Sequence, residues 1–190
     1  MQKILGYIRK AVQDFDLIQK GDRIAVGVSG GKDSLVHTQI GEIVFDIRKE
    51  PNPCSLCANM RRGALHDAAK AAGCNKLALG HNNDDVIETF IMNLFNEGRI
   101  GCFSPKTHLD RKDITVIRPL VLAPESQVLS ACNRNEFEIV KSVCPADKTT
   151  SRQKTKEFLR DMEHKDKGFK LRMFTALRKS GVDGWGYPDK

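Results

Sequence analysis

Residues 24–34 constrain the fold more than any other stretch. An apolar run, Ile24-Ala25-Val26-Gly27-Val28, empties directly into Ser29-Gly30-Gly31-Lys32-Asp33-Ser34. Short apolar runs bounded by glycine read as buried strands, and paired glycines let successive backbone N–H groups turn toward an anion with no Cβ in the way. A helix opening near Lys32 would bring its positive end to the same point. Lys32 adds a mobile charge, and the Ser29 and Ser34 hydroxyls add donors. The common phosphate loop needs Gly, four residues and then Gly-Lys-Ser/Thr. Here Ala25 or Val26 stands in place of the first glycine and Asp33 in place of the hydroxyl. This is a phosphate loop of another kind, and a strand that passes into a helix through such a loop belongs to an α/β fold.

The rest of the chain alternates in the same way. Met1 to Lys20 sets Ile4, Leu5, Ile8, Val12, Phe15 and Leu17 at helical spacing among charges, unlike a signal-peptide core. Behind the loop, a helix is expected through Leu35 and Val36, then an apolar stretch from Ile43 to Ile47 that ends at Pro51 and Pro53. Helices are predicted over Cys54 to Ala72, Asp84 to Phe95 (capped by Asn83 or Asp84) and Glu125 to Asn133. Strands are predicted at 76–80, 114–117 and 138–141, with Gly98 to Asp113 as loop. Two helices broken near Gly168 follow Thr149. The order implies a doubly wound, mostly parallel sheet, with ligands at the carboxyl ends of its strands. Three parts follow: an N-terminal helix over 1–20, an α/β domain over 21–148 and a basic helical region over 149–190.

With 190 residues the chain can bury one sizeable core. No run approaches eighteen apolar residues, so a soluble, cytoplasmic protein is expected. The net charge is +7, and its placement is uneven. From Arg152 onward, eleven Lys/Arg face six Asp/Glu, with Arg152, Lys154, Lys156 and Arg160 near one helical face and Lys165, Lys167, Lys170, Arg172, Arg178 and Lys179 behind them. A polyanion such as RNA suits that tail; a solvated helical face accounts for the charge equally well.

Six cysteines are too sparse for a secreted disulfide framework. Cys54-x-x-Cys57 opens a helix, where the positive helix end and Arg61 and Arg62 one turn on favour thiolates. Cys144, in Val143-Cys144-Pro145-Ala146-Asp147, follows a predicted strand and could reach the same rim. Two thiolates plus one suit an iron–sulfur cluster with one iron lacking a protein ligand, or a zinc completed by a fourth group. A redox dithiol or plain structural cysteines are the alternatives. Cys74, Cys102 and Cys132 sit alone in apolar contexts and read as small hydrophobes. Gly80-His81-Asn82-Asn83-Asp84-Asp85 sets two carboxylates at a helix start beyond a strand, hard ligands of the type Mg²⁺ takes beside phosphates; capping alone needs only one of them.

Taken in order, these segments resemble a known family. Ser29 to Ser34, Cys54-x-x-Cys57 with Arg61-Arg62-Gly63, Leu79-Gly80-His81 with Asp84-Asp85-Val86-Ile87-Glu88-Thr89, Arg118-Pro119-Leu120 with Glu125, and Cys144-Pro145-Ala146-Asp147 followed by Arg152 span nearly the whole chain. The set is similar to the tRNA 2-thiocytidine synthetases, a branch of the PP-loop ATP pyrophosphatases related to the tRNA 2-thiouridine synthetases. That resemblance implies an ATP-dependent tRNA sulfurtransferase acting on the C2 oxygen of a tRNA pyrimidine, cytidine of the anticodon loop. It implies a 4Fe-4S cluster on Cys54, Cys57 and Cys144, and ATP held by Ser29, Gly30, Gly31, Lys32, Asp33 and Ser34 with Gly80 and His81. Asp33, Arg61 and Asp85 would be catalytic, with Asp33, Asp84 and Asp85 near Mg²⁺. A sulfur donor, either sulfide or a cysteine desulfurase, and a homodimer are further implications.

Two departures stand out. Asn82 follows His81 where the family commonly has a second histidine. Only nineteen residues separate Ser34 from Cys54, so one strand–helix unit of the family is missing after the loop, with the join between Leu35 and Gly41. The competing readings are a PP-loop ligase that modifies tRNA in another way and a truncated, non-catalytic RNA- or metal-binding module.

Overall fold

The computed structural model describes residues 1–27, 53–137 and 151–187, the side chains of 53 and 54 excepted. The elements in chain order are α1 (Gln2–Asp14), β1 (Ile24–Gly27), α2 (Pro53–Ala71), β2 (Lys76–Leu79), α3 (Asn83–Asn96), β3 (Lys106–Leu109), β4 (Ile114–Ile117), α4 (Glu125–Arg134), α5 (Ser151–Lys165) and α6 (Phe169–Ser180). A short 3₁₀ turn, Val182–Gly184, follows. The expected helix through Leu35 and Val36, the Ile43 to Ile47 stretch and the strand at 138–141 lie outside the described residues.

Four strands form one sheet in the order β1-β2-β4-β3. The first three are parallel, with Val26 opposite Ala78 and Ala78 opposite Ile117. Side chains alternate between its faces, as strand geometry demands. Ala25, Leu77, Leu79 and Ile114 pack with Ala69 of α2 on one face. Ile24, Ala78 and Ile117 join Ala11 and Leu17, Val86 of α3 and Leu177 of α6 on the other. Helices therefore cover both faces of a mostly parallel sheet, the architecture expected from the alternating pattern. Among the described residues β1 has a strand neighbour on one side only, and Val26 is 69% exposed.

Several local expectations need correction. β3 lies inside the segment predicted as loop. Lys-Thr-His-Leu has no hydrophobic alternation, and it becomes a strand through antiparallel pairing, Thr107 opposite Val116 and Leu109 opposite Ile114. The first helix ends at Asp14, short of Lys20, because Asp16 takes a positive φ of 46° and swings the fully buried Leu17 back into the core. The cap of α3 is Asn82, neither Asn83 nor Asp84. Its side chain accepts from the N–H groups of Asp84 and Asp85, while the Asp85 carboxylate accepts from the Asn82 N–H at 2.9 Å. Such a reciprocal capping box satisfies two otherwise unpaired donors. Gly168 does separate α5 from α6. Its φ of 85° is left-handed, where a side chain would be strained, and Glu163 of α5 accepts from the N–H groups of Gly168 and Lys170 at 2.8 Å each.

The end of α1 and the segment around Trp185 meet in the core. Trp185 is fully buried, its ring edge-on to Phe15 and Phe174, and its Nε1–H donates to the Phe103 carbonyl at 2.9 Å. Arg178 is 3% exposed and pairs with Asp14 at 3.0 Å between the rings of Phe15 and Tyr187. At the foot of β2, the buried Lys76 ammonium sits 2.6 Å from Asp22, which drives the Asp22 pKa down to about 2. No helix among the described residues is long and apolar enough to cross a membrane.

Candidate functional site

Parallel strands end at a common edge, and here that edge gathers the motifs. Gly27 pairs with Leu79, so the segments after β1 and β2 leave the sheet side by side. The first of these enters Ser29 to Ser34, which lies outside the described residues together with Cys144; the side chain of Cys54 is outside them as well. The second is Gly80-His81 and the start of α3. β4 ends beside it, and Arg118 follows directly.

His81 is largely buried, and its Nδ1 has no hydrogen-bond partner among the described residues. Its ring centroid lies 4.9 Å from that of Phe103. Burial first, and then the Arg118 cation, disfavour the imidazolium, and the pKa falls to about 4. The ring is therefore neutral at physiological pH, with Nδ1 buried and unpaired. Gly80 beside it is exposed, with open space where a Cβ would stand. Arg118 donates to the Ser104 carbonyl at 2.6 Å and lies over the Phe103 ring at 4.9 Å.

The carboxylates at the start of α3 are held by basic residues of α5 and α6. Lys170 reaches one oxygen of Asp84 at 2.8 Å, and the Glu125 N–H donates to the other at 2.7 Å. Asp85 caps with one oxygen and meets Arg152 with the other at 3.4 Å. Arg152 also pairs with the buried Glu88 at 3.0 Å and donates to the Thr89 hydroxyl at 3.1 Å, while Lys156 pairs with Glu125 at 2.8 Å. All four oxygens of Asp84 and Asp85 thus accept from protein donors. A Mg²⁺ ion at this pair would have to share it with Lys170 and Arg152, each carboxylate oxygen keeping one lone pair beyond the bond it accepts. Glu88 has its pKa raised by burial, with Arg152 opposing the shift. Sequence reading missed Glu88 as a functional partner, although Asp85, Glu88 and Thr89 share a helix face at the spacing that meets a single cation.

The same contacts redraw the basic tail. Arg152, Lys156, Lys170 and Arg178 are engaged inside the molecule, and Arg160 and Arg172 pair with Asp161 and Asp166 on the surface. Among the described residues, Lys154, Lys165, Lys167 and Lys179 are exposed and form no ion pair, so the free positive face is smaller than the sequence suggests.

Cys57 lies in the second turn of α2, a free thiol that is 7% exposed against Leu56 and Met60. Arg61, four residues on, shares its helix side and is exposed. A free buried thiol with a cation on the same side fits a thiolate ligand of an iron–sulfur cluster. Cys102 has a different character. It is buried in the core, donates to the Val86 carbonyl, and burial pushes its pKa up to about 12. Cys74 and Cys132 are free and half-buried.

Comparison with known proteins agrees with this set of parts. The PP-loop domain family matches residues 39–162. A tRNA-cytidine(32) 2-sulfurtransferase from Citrifermentans bemidjiense is 34% identical over 92% of this chain and 89% of its own length. Its counterpart from Geobacter sulfurreducens is 34% identical over 93% and 89%, and that from Pseudomonas syringae 32% over 89% and 80%. The first alignment extends over 227 positions, more than the 190 residues here, so that relative carries internal residues with no counterpart in this chain. The interval between Ser34 and Cys54 is where the sequence motifs locate that difference. In three dimensions the chain resembles the U34-tRNA thiolase NcsA from Methanococcus maripaludis with its [4Fe-4S] cluster, with a TM-score of 0.67 and 24% identity over 91% of this chain and 76% of the other, a likeness of fold. The chain belongs to the tRNA-cytidine(32) 2-sulfurtransferase family of PP-loop proteins.

Proposed function

We propose that this chain is a tRNA thiolation enzyme that activates the C2 oxygen of a tRNA cytidine with ATP and replaces it with sulfur. The observation that carries the reading is identity to tRNA-cytidine(32) 2-sulfurtransferases over nine-tenths of the chain. A pyrimidine C2 oxygen leaves poorly. Transfer of the adenylyl group to it releases pyrophosphate, and attack by a sulfur nucleophile at C2 then expels AMP.

The chain's own residues divide this work. Backbone N–H groups of Ser29 to Ser34 and the Lys32 ammonium hold the phosphates and stabilise charge that develops on the α-phosphate. Asp33 and Arg61 act at the reacting groups, Arg61 from the side of α2 that carries Cys57. Asp85 is a positioning residue, fixed by its capping bond and by Arg152. Gly80 and the neutral His81 line the nucleotide site. Cys54, Cys57 and Cys144 would hold a 4Fe-4S cluster, which when bound supplies an iron site for the incoming sulfur. The exposed lysines of α5 and α6 contact tRNA phosphates, which supply affinity more than sequence reading.

The test is anaerobic reconstitution with iron and sulfide, then incubation with ATP, sulfide and unmodified tRNA. 2-Thiocytidine in the digested tRNA, with ATP-dependent pyrophosphate release, is expected. The shortened interval after the loop favours one competing reading, a chain that binds RNA and metal without turnover. Tight zinc, no pyrophosphate and no thionucleoside would establish that reading instead.

A further inference from the structure

Three helix starts meet at the Asp84 carboxylate. Asp84 itself lies in the first turn of α3. Lys170, in the first turn of α6, donates to its Oδ1 at 2.8 Å, and the Glu125 N–H at the start of α4 donates to its Oδ2 at 2.7 Å. Eighty-six residues separate Lys170 from Asp84 and forty-one separate Asp84 from Glu125, so neither contact is a local helix pair. The Asp84 side chain is 15% exposed.

α4 begins without a cap of its own. Pro124 stands at its N-cap and makes no side-chain bond, yet the first N–H groups of a helix need acceptors. Asp84 supplies one from another helix, and a carboxylate suits the positive end that it meets there. Beside it the Asn83 N–H donates to the Ala123 carbonyl at 2.9 Å. The entries of α3 and α4 are thus tied by two bonds.

Lys170 stands against the usual preference, because a cation in the first turn of a helix is disfavoured by the helix dipole. Asp84 removes that conflict. The approach is also built into the turn, where Glu163 of α5 accepts from the N–H groups of Gly168 and Lys170 and so fixes the start of α6. On the other side of the contact, the Asn82 carbonyl oxygen of the side chain accepts from the N–H groups of both Asp84 and Asp85. A displaced Asp84 therefore carries Asp85 and the turn behind it along.

We propose that Lys170 is a positioning residue that acts through Asp84 to hold the entries of α3 and α4 in one fixed arrangement. Resting on the proposed function, its effect on the reaction is to keep Asp85 and the Gly80-His81 turn in place at the nucleotide. Lys170 works at a distance from the reacting atoms, and its removal slows turnover without weakening ATP binding.

The experiment compares Lys170→Met, Lys170→Arg, Asp84→Asn and the Lys170→Met/Asp84→Asn double variant with the unaltered full chain. Amide hydrogen exchange, ATP binding at graded Mg²⁺ and ATP-dependent thiolation are measured on each. Lys170→Met is expected to speed exchange at the first amides of α4 roughly tenfold, the effect of losing one hydrogen bond to a charged group, while the core around Trp185 keeps its protection. The kcat of thiolation should fall between ~10- and ~100-fold, as for misplaced reacting groups, with ATP affinity unchanged. Lys170→Arg restores both, and the double variant is no worse than Asp84→Asn alone, because the two residues act through one contact. Unchanged exchange at α4 in Lys170→Met, or additive losses in the double variant, overturns the proposal. Tighter binding of ATP with Mg²⁺ in Lys170→Met overturns it too, since Lys170 would then compete for Asp84 and not support it. In a chain that forms no thiocytidine the proposed function falls, and the exchange measurements alone decide the link from Lys170 to α4.

Discussion

Arg152, in the first turn of α5, reaches the buried Glu88 of α3, its NH1 3.0 Å from the Glu88 Oε2. One guanidinium thereby serves Asp85, Glu88 and Thr89, and it fastens the basic C-terminal helices to the edge where the site motifs gather.

Replacing Arg152 with Ala leaves Glu88, 6% exposed at its side chain, without its cation. The expected loss is about 2 kcal/mol of stability, since an uncompensated buried charge costs more than the pair contributes. Glu88→Gln in the same background should recover about 1 kcal/mol. Urea unfolding of both singles and the double measures it, and additive losses would show that the two residues do not interact.

His81 makes stability depend on pH in a defined window. Its folded pKa of about 4 lies below the ordinary 6.5. Between those values the unfolded chain binds a proton that the folded chain refuses, so stability is full above pH 6.5 and falls as the pH drops toward 4, by up to about 3 kcal/mol. Glu88, with a raised pKa, works in the other direction, so the comparison must be internal. His81→Asn should flatten the curve relative to the unaltered protein in unfolding measured at pH 7, 5.5 and 4.5. Parallel curves would mean that His81 is free to charge in the fold.

The single tryptophan closes the core against α1 and α6. Trp185→Ala should cost about 3–5 kcal/mol and lower the thermal midpoint by roughly 10 °C. Trp185→Phe keeps most of the packing and loses the bond to the Phe103 carbonyl, for about 1 kcal/mol. Melting followed by circular dichroism separates the two.

Cysteine substitutions should divide by position. Cys57→Ala is expected to abolish the visible absorbance of a reconstituted cluster, whereas Cys102→Ala leaves it intact. The Cys102 thiol is raised to about 12 and points to the Val86 carbonyl in the core. It should also resist alkylation until the protein unfolds. Retention of a full cluster signal in Cys57→Ala would remove Cys57 from the ligand set.

Much was legible along the chain because it depends on neighbours in sequence. The apolar run at Ile24, the helix opened by Pro53, the break at Gly168 and the order of the loop, cysteine and carboxylate motifs are local patterns, and they sufficed for the α/β class and the family. What depends on distant partners was not legible. Lys106–Leu109 is a strand only because β4 offers it a register. Arg152, Lys156, Lys170 and Arg178 read as free charge along the tail and are paired in the fold, because their acids come from α1, α3 and α4, tens of residues away. Composition and spacing determined which chemistry this chain carries; tertiary structure decided which charges remain available for it, because ion pairing and burial are settled by proximity in space.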